Sequence, residues 1–313
     1  MELDPHHPLY TANDYFKEVF GEKIIKITLD GGFTCPNRDG KLSNKGCIFC
    51  STEGSGEQTK RSLPLEEQFE SMKEKMAPKW GYGKYMAYFQ PFTNTYASLP
   101  MLEAMFTRVA EFKDVCALSI ATRPDCLEKE KIEFLGALNK KLPVFVELGL
   151  QTSNENTAEY INRCYPNSVY AKAVEELKKE NINIVTHIIL GLPGEDIKDM
   201  EKSVNFAVES GTDGLKLQLL HILKNTALGH IYQKEKFPLF DIESYTDTIV
   251  ALAERIPQNI VIHRITGDAY KPCIIEPRWS LDKRRVLNMI SKKFLERNTF
   301  QGRILKEKET EYE

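Results

Sequence analysis

Short β-rich runs along this chain, in which apolar residues concentrate, alternate with longer stretches of helical period. The runs Ile24 to Leu29, Tyr85 to Phe89, Ala117 to Ala121, Val144 to Leu150, Ile182 to Leu190 and Leu215 to Leu220 have the length and composition of buried strands, and Ile260 to Ile265 offers a seventh. Among the intervening stretches, Ile197, Met200, Val204 and Ala207 share one helical face, as do Ile242, Tyr245, Ile249 and Leu252. Strands alternating with helices imply parallel βαβ units with right-handed crossovers. The expected fold class is therefore α/β: six units forming an open, partial (βα)6 barrel, with a doubly wound sheet as the alternative. In either architecture the ligand site lies beyond the C-terminal strand ends. The pattern divides into a short N-terminal extension over residues 1–22, the barrel over 23–240 and an α/β C-terminal extension over 241–313. Residues 40–62, rich in Gly, Ser, Lys and Asn, read as a long loop after the first strand.

At 313 residues the chain buries a substantial core without staples. With 42% hydrophobic and 28% charged residues it has the composition of an ordinary globular protein. No apolar run reaches the roughly 18 residues of a membrane span, and Met1-Glu2-Leu3-Asp4-Pro5-His6-His7 lacks the features of a secretory signal. A reducing, cytoplasmic setting is expected. There, three of the seven cysteines crowding between positions 35 and 50 argue for metal or catalysis before disulfides. The net charge of −3 gives no global sign of a nucleic-acid partner, although a local basic patch is enough to bind phosphate.

The cysteines follow the first strand directly. Gly31-Gly32-Phe33-Thr34-Cys35-Pro36-Asn37-Arg38-Asp39-Gly40 leads on to Gly46-Cys47-Ile48-Phe49-Cys50, with eleven residues between Cys35 and Cys47 and two between Cys47 and Cys50. Thiolates are soft ligands for iron–sulfur clusters or zinc. A closed zinc site needs a fourth donor, for which His6 or His7 is the alternative candidate. Three thiolates on a [4Fe–4S] cluster leave one iron open to a substrate or cofactor.

The wide first gap, Cys-Pro-Asn-Arg-Asp-Gly and Gly-Cys-x-Phe-Cys together resemble the YhcC/YtqA-type branch of the radical S-adenosylmethionine (SAM) superfamily, from Tyr15 to about Asn288. That branch is related to the catalytic subunit of elongator and to coproporphyrinogen dehydrogenase. The usual loop of the superfamily spaces its cysteines three and two apart, so the first gap departs from it. The resemblance implies a partial radical SAM barrel, a [4Fe–4S] cluster held by Cys35, Cys47 and Cys50, and SAM on the open iron.

It also implies a SAM pocket built on successive strand ends. After the second strand, Gln90 and Asn94 are candidates to accept from the SAM ammonium, a polar turn being the alternative. After the third, Arg123 and Asp125 form a pair suited to orienting a carboxylate, or a solvated salt bridge. In the fourth, Glu147 is an acid that burial makes costly unless paired. Gln151 and Arg163 stand at the spacing that coproporphyrinogen dehydrogenase relatives place on SAM, although Cys164-Tyr165 replaces the Gly-His common after that Arg. The fifth run, His187 to Leu190, ends in Gly191-Leu192-Pro193-Gly194-Glu195. Its glycines allow close approach to a ligand and Glu195 is expected to open a helix. His187 is implied near the ribose, or is a core histidine. Phe49 is implied to pack on the adenine.

The implied reaction is reductive cleavage of SAM to a 5′-deoxyadenosyl radical, fed by a donor such as flavodoxin or ferredoxin, followed by hydrogen abstraction. Further on, His263-Arg264-Ile265-Thr266-Gly267-Asp268 and Pro277-Arg278-Trp279-Ser280-Leu281 resemble the tail of this branch. From Arg278 to Arg303, eight Lys or Arg stand against Asp282 and Glu296. A basic helix led by an aromatic suits RNA phosphates and a stacked base. A solvated helix packed through Val286, Leu287, Met289 and Ile290 is the alternative. The resemblance implies tRNA as partner, with remodelling of the wobble-uridine C5 substituent from carboxymethylaminomethyl to aminomethyl. A radical SAM enzyme acting on a small metabolite or peptide, and a non-catalytic cluster- or zinc-binding regulator, are the rivals.

Overall fold

The computed structural model describes residues 2–54, 61–267 and 270–310, so Asp268 of the tail motif lies outside the described residues. In chain order the helices and strands are α1 (Ala12–Phe20), β1 (Ile25–Leu29), α2 (Leu65–Trp80), β2 (Tyr85–Phe89), α3 (Leu99–Ala110), β3 (Val115–Thr122), α4 (Lys129–Asn139), β4 (Val144–Gln151), α5 (Glu155–Tyr160) and α6 (Asn167–Lys179). They continue as β5 (Asn183–Leu190), α7 (Ile197–Glu209), β6 (Gly214–Leu219), β7 (Ile222–Leu223), α8 (Ala227–Lys234), α9 (Ile242–Ala253), β8 (Val261–Arg264), β9 (Ile274–Glu276), α10 (Lys283–Glu296) and α11 (Arg303–Thr310). All seven apolar runs are strands. They form one seven-stranded sheet in the order β1-β2-β3-β4-β5-β6-β8, while β7 and β9 form a separate antiparallel pair. The long loop between β1 and α2 contains neither helix nor strand among its described residues.

Two compact units divide the chain. One holds Phe16–Gly149 and Asn162–Val185, the other the residues up to Tyr15, Leu150–Ile161 and those from Thr186 on; β4 and β5 each run from one into the other. In the first unit β1, β2, β3 and β4 pair in parallel, in the registers Ile27↔Ala87, Ala87↔Leu118 and Ala121↔Glu147. Every residue of β2 is buried, as a strand covered on both faces requires. Lys26 of β1 nevertheless reaches Glu147 of β4 at 3.1 Å. Three interstrand spacings would hold flat strands about 14 Å apart, so the sheet within this unit curls and side chains on one face converge. Ser119 donates to the same carboxylate at 2.7 Å.

In the second unit β6 pairs in parallel with β8. Helix α7 buries Met200, Val204 and Ala207, whereas Ile197, expected on that face, is 37% exposed at the first turn. Helix α9 buries Tyr245, Ile249 and Leu252. Helix α10 buries Val286, Ile290 and Phe294; Leu287, expected to pack with them, is 37% exposed, and Met289 is only partly covered.

The same C-terminal device ends α6 in the first unit and α7 in the second. Asn181 (φ +55) and Gly211 (φ +102) take the left-handed conformation, and the next residues donate back five positions, Ile182 to Leu177 and Thr212 to Ala207, both at 3.2 Å. Each turn delivers the chain directly into the following strand. At the other end of α7, Asp196 and Asp199 form a reciprocal capping box. Glu195 therefore stands one residue before the cap and does not open the helix.

Candidate functional site

The first unit carries the cysteine loop at the end of β1. Gln68 of α2, 4% exposed, fixes its start by accepting from Asp30 N at 2.9 Å and donating to Asp30 O at 3.1 Å. Backbone bonds then fold the loop on itself. Arg38 N donates to Cys35 O (2.8 Å), Leu42 N to Pro36 O (2.8 Å), Gly46 N to Asn37 O (2.6 Å) and Cys50 N to Cys47 O (3.0 Å). Gly46 has φ +71, and a side chain there would crowd Arg38, whose guanidinium donates to Cys50 O at 3.1 Å.

Cys35, Cys47 and Cys50 are all half-buried free thiols. Lost hydration pushes the Cys47 thiol up to about 12; Cys50 and Cys35 add to the rise, against a pull from Arg123 and Asn37. The three sulfurs therefore share one electrostatic neighbourhood in which negative charge needs a positive centre. Asn37 Nδ2 lies 3.5 Å from Cys47 Sγ, an N–H···S contact of the kind that tunes iron–sulfur clusters. This donor set fits a cluster with three protein ligands. Among the described residues, no group of three or more His, Cys, Asp or Glu is placed to hold a single metal ion. His7, one candidate for a fourth zinc ligand, lies 3.4 Å from Asp14.

Other candidates of this unit surround strand ends. Gln90 is half-buried after β2, and Phe49 is half-buried in the cysteine loop. Asn94 is fully buried and donates to Phe89 O (3.1 Å), Pro91 O (3.0 Å) and Ala121 O (2.8 Å), which ties the ends of β2 and β3 together. Its Oδ1 is buried without a hydrogen-bond partner. Arg123 grips Asp125 in two prongs, 2.9 and 2.7 Å, with the guanidinium 8% exposed, so this pair is largely desolvated. Arg163, 1% exposed, turns back on its own loop: it donates to Tyr165 O at 3.0 and 2.8 Å and to Asn167 Oδ1 at 2.9 Å.

The departure at Cys164-Tyr165 is built into this structure. The Tyr165 ring has Arg123 at 4.8 Å and Arg163 at 4.7 Å from its centroid, and its phenol donates to Gly149 O. Burial raises the phenol pKa, so Tyr165 stays neutral beside the two cations. Sequence reading gave no role to Tyr165, to Lys26 or to Asn37. Only the position of Asn37 inside the cysteine motif hinted at one.

The second unit carries Gln151, His187 and Gly191. Gln151 ends β4 with φ +68. His187 Nδ1 lies 3.3 Å from Gln218 Nε2. Gly191 has φ +84, and a Cβ there would come within 2.9 Å of the Phe240 ring. Thr152 donates to Glu195, whose carboxyl burial pushes up to about 7. In the tail, Trp279 is turned inward: its indole donates to Phe240 O at 3.0 Å and its ring lies 5.5 Å from Tyr245. On α10, Lys293 pairs with Asp247 (2.6 Å) and Glu243 (2.9 Å), and Arg297 also pairs with Asp247. The other side of the helix presents Arg284, Arg285, Asn288, Met289 and Lys292, with Asp282 at the helix start, around an open cavity of about 380 Å³; Lys292 pairs with Glu296 at 3.3 Å. No helix among the described residues is long and apolar enough to cross a membrane.

Comparison with known proteins accords with this architecture. The Radical SAM superfamily matches residues 40–207 and the Radical_SAM C-terminal domain residues 212–296. The Bacillus subtilis (strain 168) protein YtqA is 41% identical over 303 residues, 96% of this chain and 94% of its own length. The chain thus belongs to the radical SAM superfamily, in its YhcC/YtqA-type branch. It is an enzyme of reductive SAM cleavage, and the cofactors of its family are a [4Fe–4S] cluster and SAM. The archaeal Methanocaldococcus infernus Elp3 with an N-terminal deletion superposes with a TM-score of 0.63 at 17% identity, over 87% of this chain and 63% of that one. That likeness shows the fold, a partial barrel of the α/β class as expected. The chain spans less than two thirds of that protein. The tRNA uridine(34) acetyltransferase of Methanocaldococcus jannaschii is 27% identical over 164 residues, 51% of this chain and 30% of its own length.

Proposed function

We propose that this enzyme remodels the C5 substituent of the tRNA wobble uridine, converting carboxymethylaminomethyl to aminomethyl. Cys35, Cys47 and Cys50 hold the cluster, and when bound the cluster and SAM supply one-electron cleavage and hydrogen abstraction. The supporting observation for a tRNA substrate is the basic, solvent-facing side of α10, which carries Arg284, Arg285 and Lys292, the last in an exposed pair with Glu296, while Lys293 and Arg297 are spent on α9. The partial relative that bears uridine(34) of tRNA in its name points the same way. Trp279 is half-buried, with its ring packed on Tyr245, which leaves it only partly open to a base.

Candidate SAM residues occur in both units. In the first, Gln90 and Asn94 serve the amino group, Phe49 the adenine and Glu147 the ribose or methionine moiety, and Arg163 is a further SAM residue. In the second, Gln151 is a SAM residue, His187 serves the ribose, and Gly191 leaves room for the backbone to approach the ligand. An electron donor such as flavodoxin or ferredoxin supplies the electron.

The test is nucleoside mass analysis of tRNA treated with the reconstituted, reduced enzyme. A wobble nucleoside that loses the mass of its carboxymethyl group supports the proposal. Unchanged tRNA alongside turnover on a small metabolite or peptide contradicts it.

A further inference from the structure

Asn37 is fully buried, and every polar function of its side chain is engaged. Nδ2 donates to Asn162 O at 2.6 Å and points its other hydrogen toward Cys47 Sγ at 3.5 Å. Oδ1 lies 3.1 Å from the Cys164 thiol, whose single hydrogen also has Asn162 Oδ1 within reach at 3.2 Å. Flipping the amide would set its oxygen against the Asn162 carbonyl, so that partner fixes the orientation. The clasp is reciprocal: Asn162 Nδ2 donates to Gly46 O at 2.7 Å, and Gly46 N donates to Asn37 O at 2.6 Å. Asn162 (φ +57) and Cys164 (φ +64) both hold left-handed conformations that present these groups to Asn37.

We infer that Asn37 is a positioning residue for the cluster, its amide N–H setting the reduction potential through the Cys47 sulfur and its amide oxygen tying that setting to Cys164. The inference rests on the reading of Cys47 as a cluster ligand. A hydrogen bond to a ligating sulfur favours the reduced, more negative cluster, because the donor's positive end sees more charge in that state. The donor here is a side chain, so it is removable by substitution while the loop backbone keeps its own bonds. When its hydrogen is directed to Asn37 Oδ1 and not to Asn162 Oδ1, the Cys164 thiol holds the amide in register and polarises its N–H toward Cys47.

The experiment is an EPR-monitored redox titration of the anaerobically reconstituted full chain, with iron counted per protein. Asn37→Leu, close in shape and without a donor, is expected to retain iron and lose about tenfold in the reduction equilibrium, or 59 mV for one electron. Cys164→Ala is expected to shift the potential the same way by less, and Cys164→Ser, which keeps a hydroxyl donor, to restore it. A merely structural Asn37 would lower iron loading or melting temperature and leave the potential of the loaded fraction where it was. An Asn37→Leu protein with full iron and the parent potential overturns the inference. Should that variant fail to load, an unchanged potential in Cys164→Ala overturns it instead. A Cys47→Ala protein retaining its full complement of iron removes the ligand reading and the inference with it. Loss of iron in Cys47→Ala with no shift in Asn37→Leu removes the inference alone.

Discussion

Lys26 Nζ and Glu147 Oε1 meet at 3.1 Å although β1 and β4 are separated by two strands. Glu147 is 1% exposed, so its charge depends on this cation and on Ser119. Removing one partner of such a pair leaves an uncompensated buried charge. Lys26→Met is expected to destabilise the protein by about 2–4 kcal/mol in urea unfolding. Lys26→Met combined with Glu147→Leu is expected to recover much of that. Lys26→Met with the unfolding midpoint of the parent would show that the pair does not hold the curled sheet.

Gly191 and Gly194 have nearly the same backbone, φ +84 and +85, in different surroundings. A Cβ at Gly194 meets nothing within 4 Å, whereas one at Gly191 meets Phe240 at 2.9 Å. Gly194→Ala is expected to cost about 1 kcal/mol, the backbone contribution alone. Gly191→Ala adds a clash and should cost more, with Phe240→Leu relieving part of the excess. Equal melting temperatures for the two alanine variants would refute the steric reading.

Glu195 makes stability depend on pH. Burial is the main cause that raises its carboxyl from the ordinary 4.5 to about 7, against hydrogen bonds from Thr152 and Thr157. Between those values the folded chain keeps a proton that the unfolded chain has lost, so stability falls as pH rises from about 4.5 to about 7. Partial exposure limits the effect to about 1–2 kcal/mol. Glu195→Gln is expected to flatten this part of the stability–pH curve in chemical denaturation. A variant that keeps the full slope would assign it to another group.

The strands were legible because parallel strands buried on both faces read as largely apolar runs, as β2 does throughout and β3 does around Ser119. The β7–β9 ladder was not, since two and three residues are too few to set a period. On α10 the run Val286, Leu287, Met289, Ile290 was read as one stripe, but only Val286 and Ile290 keep the spacing that continues to Phe294. The cysteine motif announced itself by spacing. The bonds around it did not, because Asn37 meets Asn162 across 125 positions and Tyr165 lies between arginines 42 and two residues away. Such pairings depend on topology, which local pattern does not encode.

The solvent side of α10 gives a prediction independent of the cluster. Replacing Arg284, Arg285 and Lys292 by Ala in metal-free protein is expected to weaken tRNA binding. It should also shallow the slope of log K against log salt by about two to three. Lys293→Ala, which breaks the pairing with Asp247 and Glu243, should change stability and leave the salt slope alone. An unchanged slope in the triple variant would place tRNA elsewhere or exclude it.

The most direct measurement is 5′-deoxyadenosine formation by anaerobically reconstituted, reduced protein, with and without bulk tRNA. The account predicts a burst that depends on tRNA and vanishes in Cys35→Ala, Cys47→Ala and Cys50→Ala. Slow formation indifferent to tRNA would contradict the substrate. A fully loaded four-iron cluster that yields no 5′-deoxyadenosine under any condition would contradict the chemistry itself.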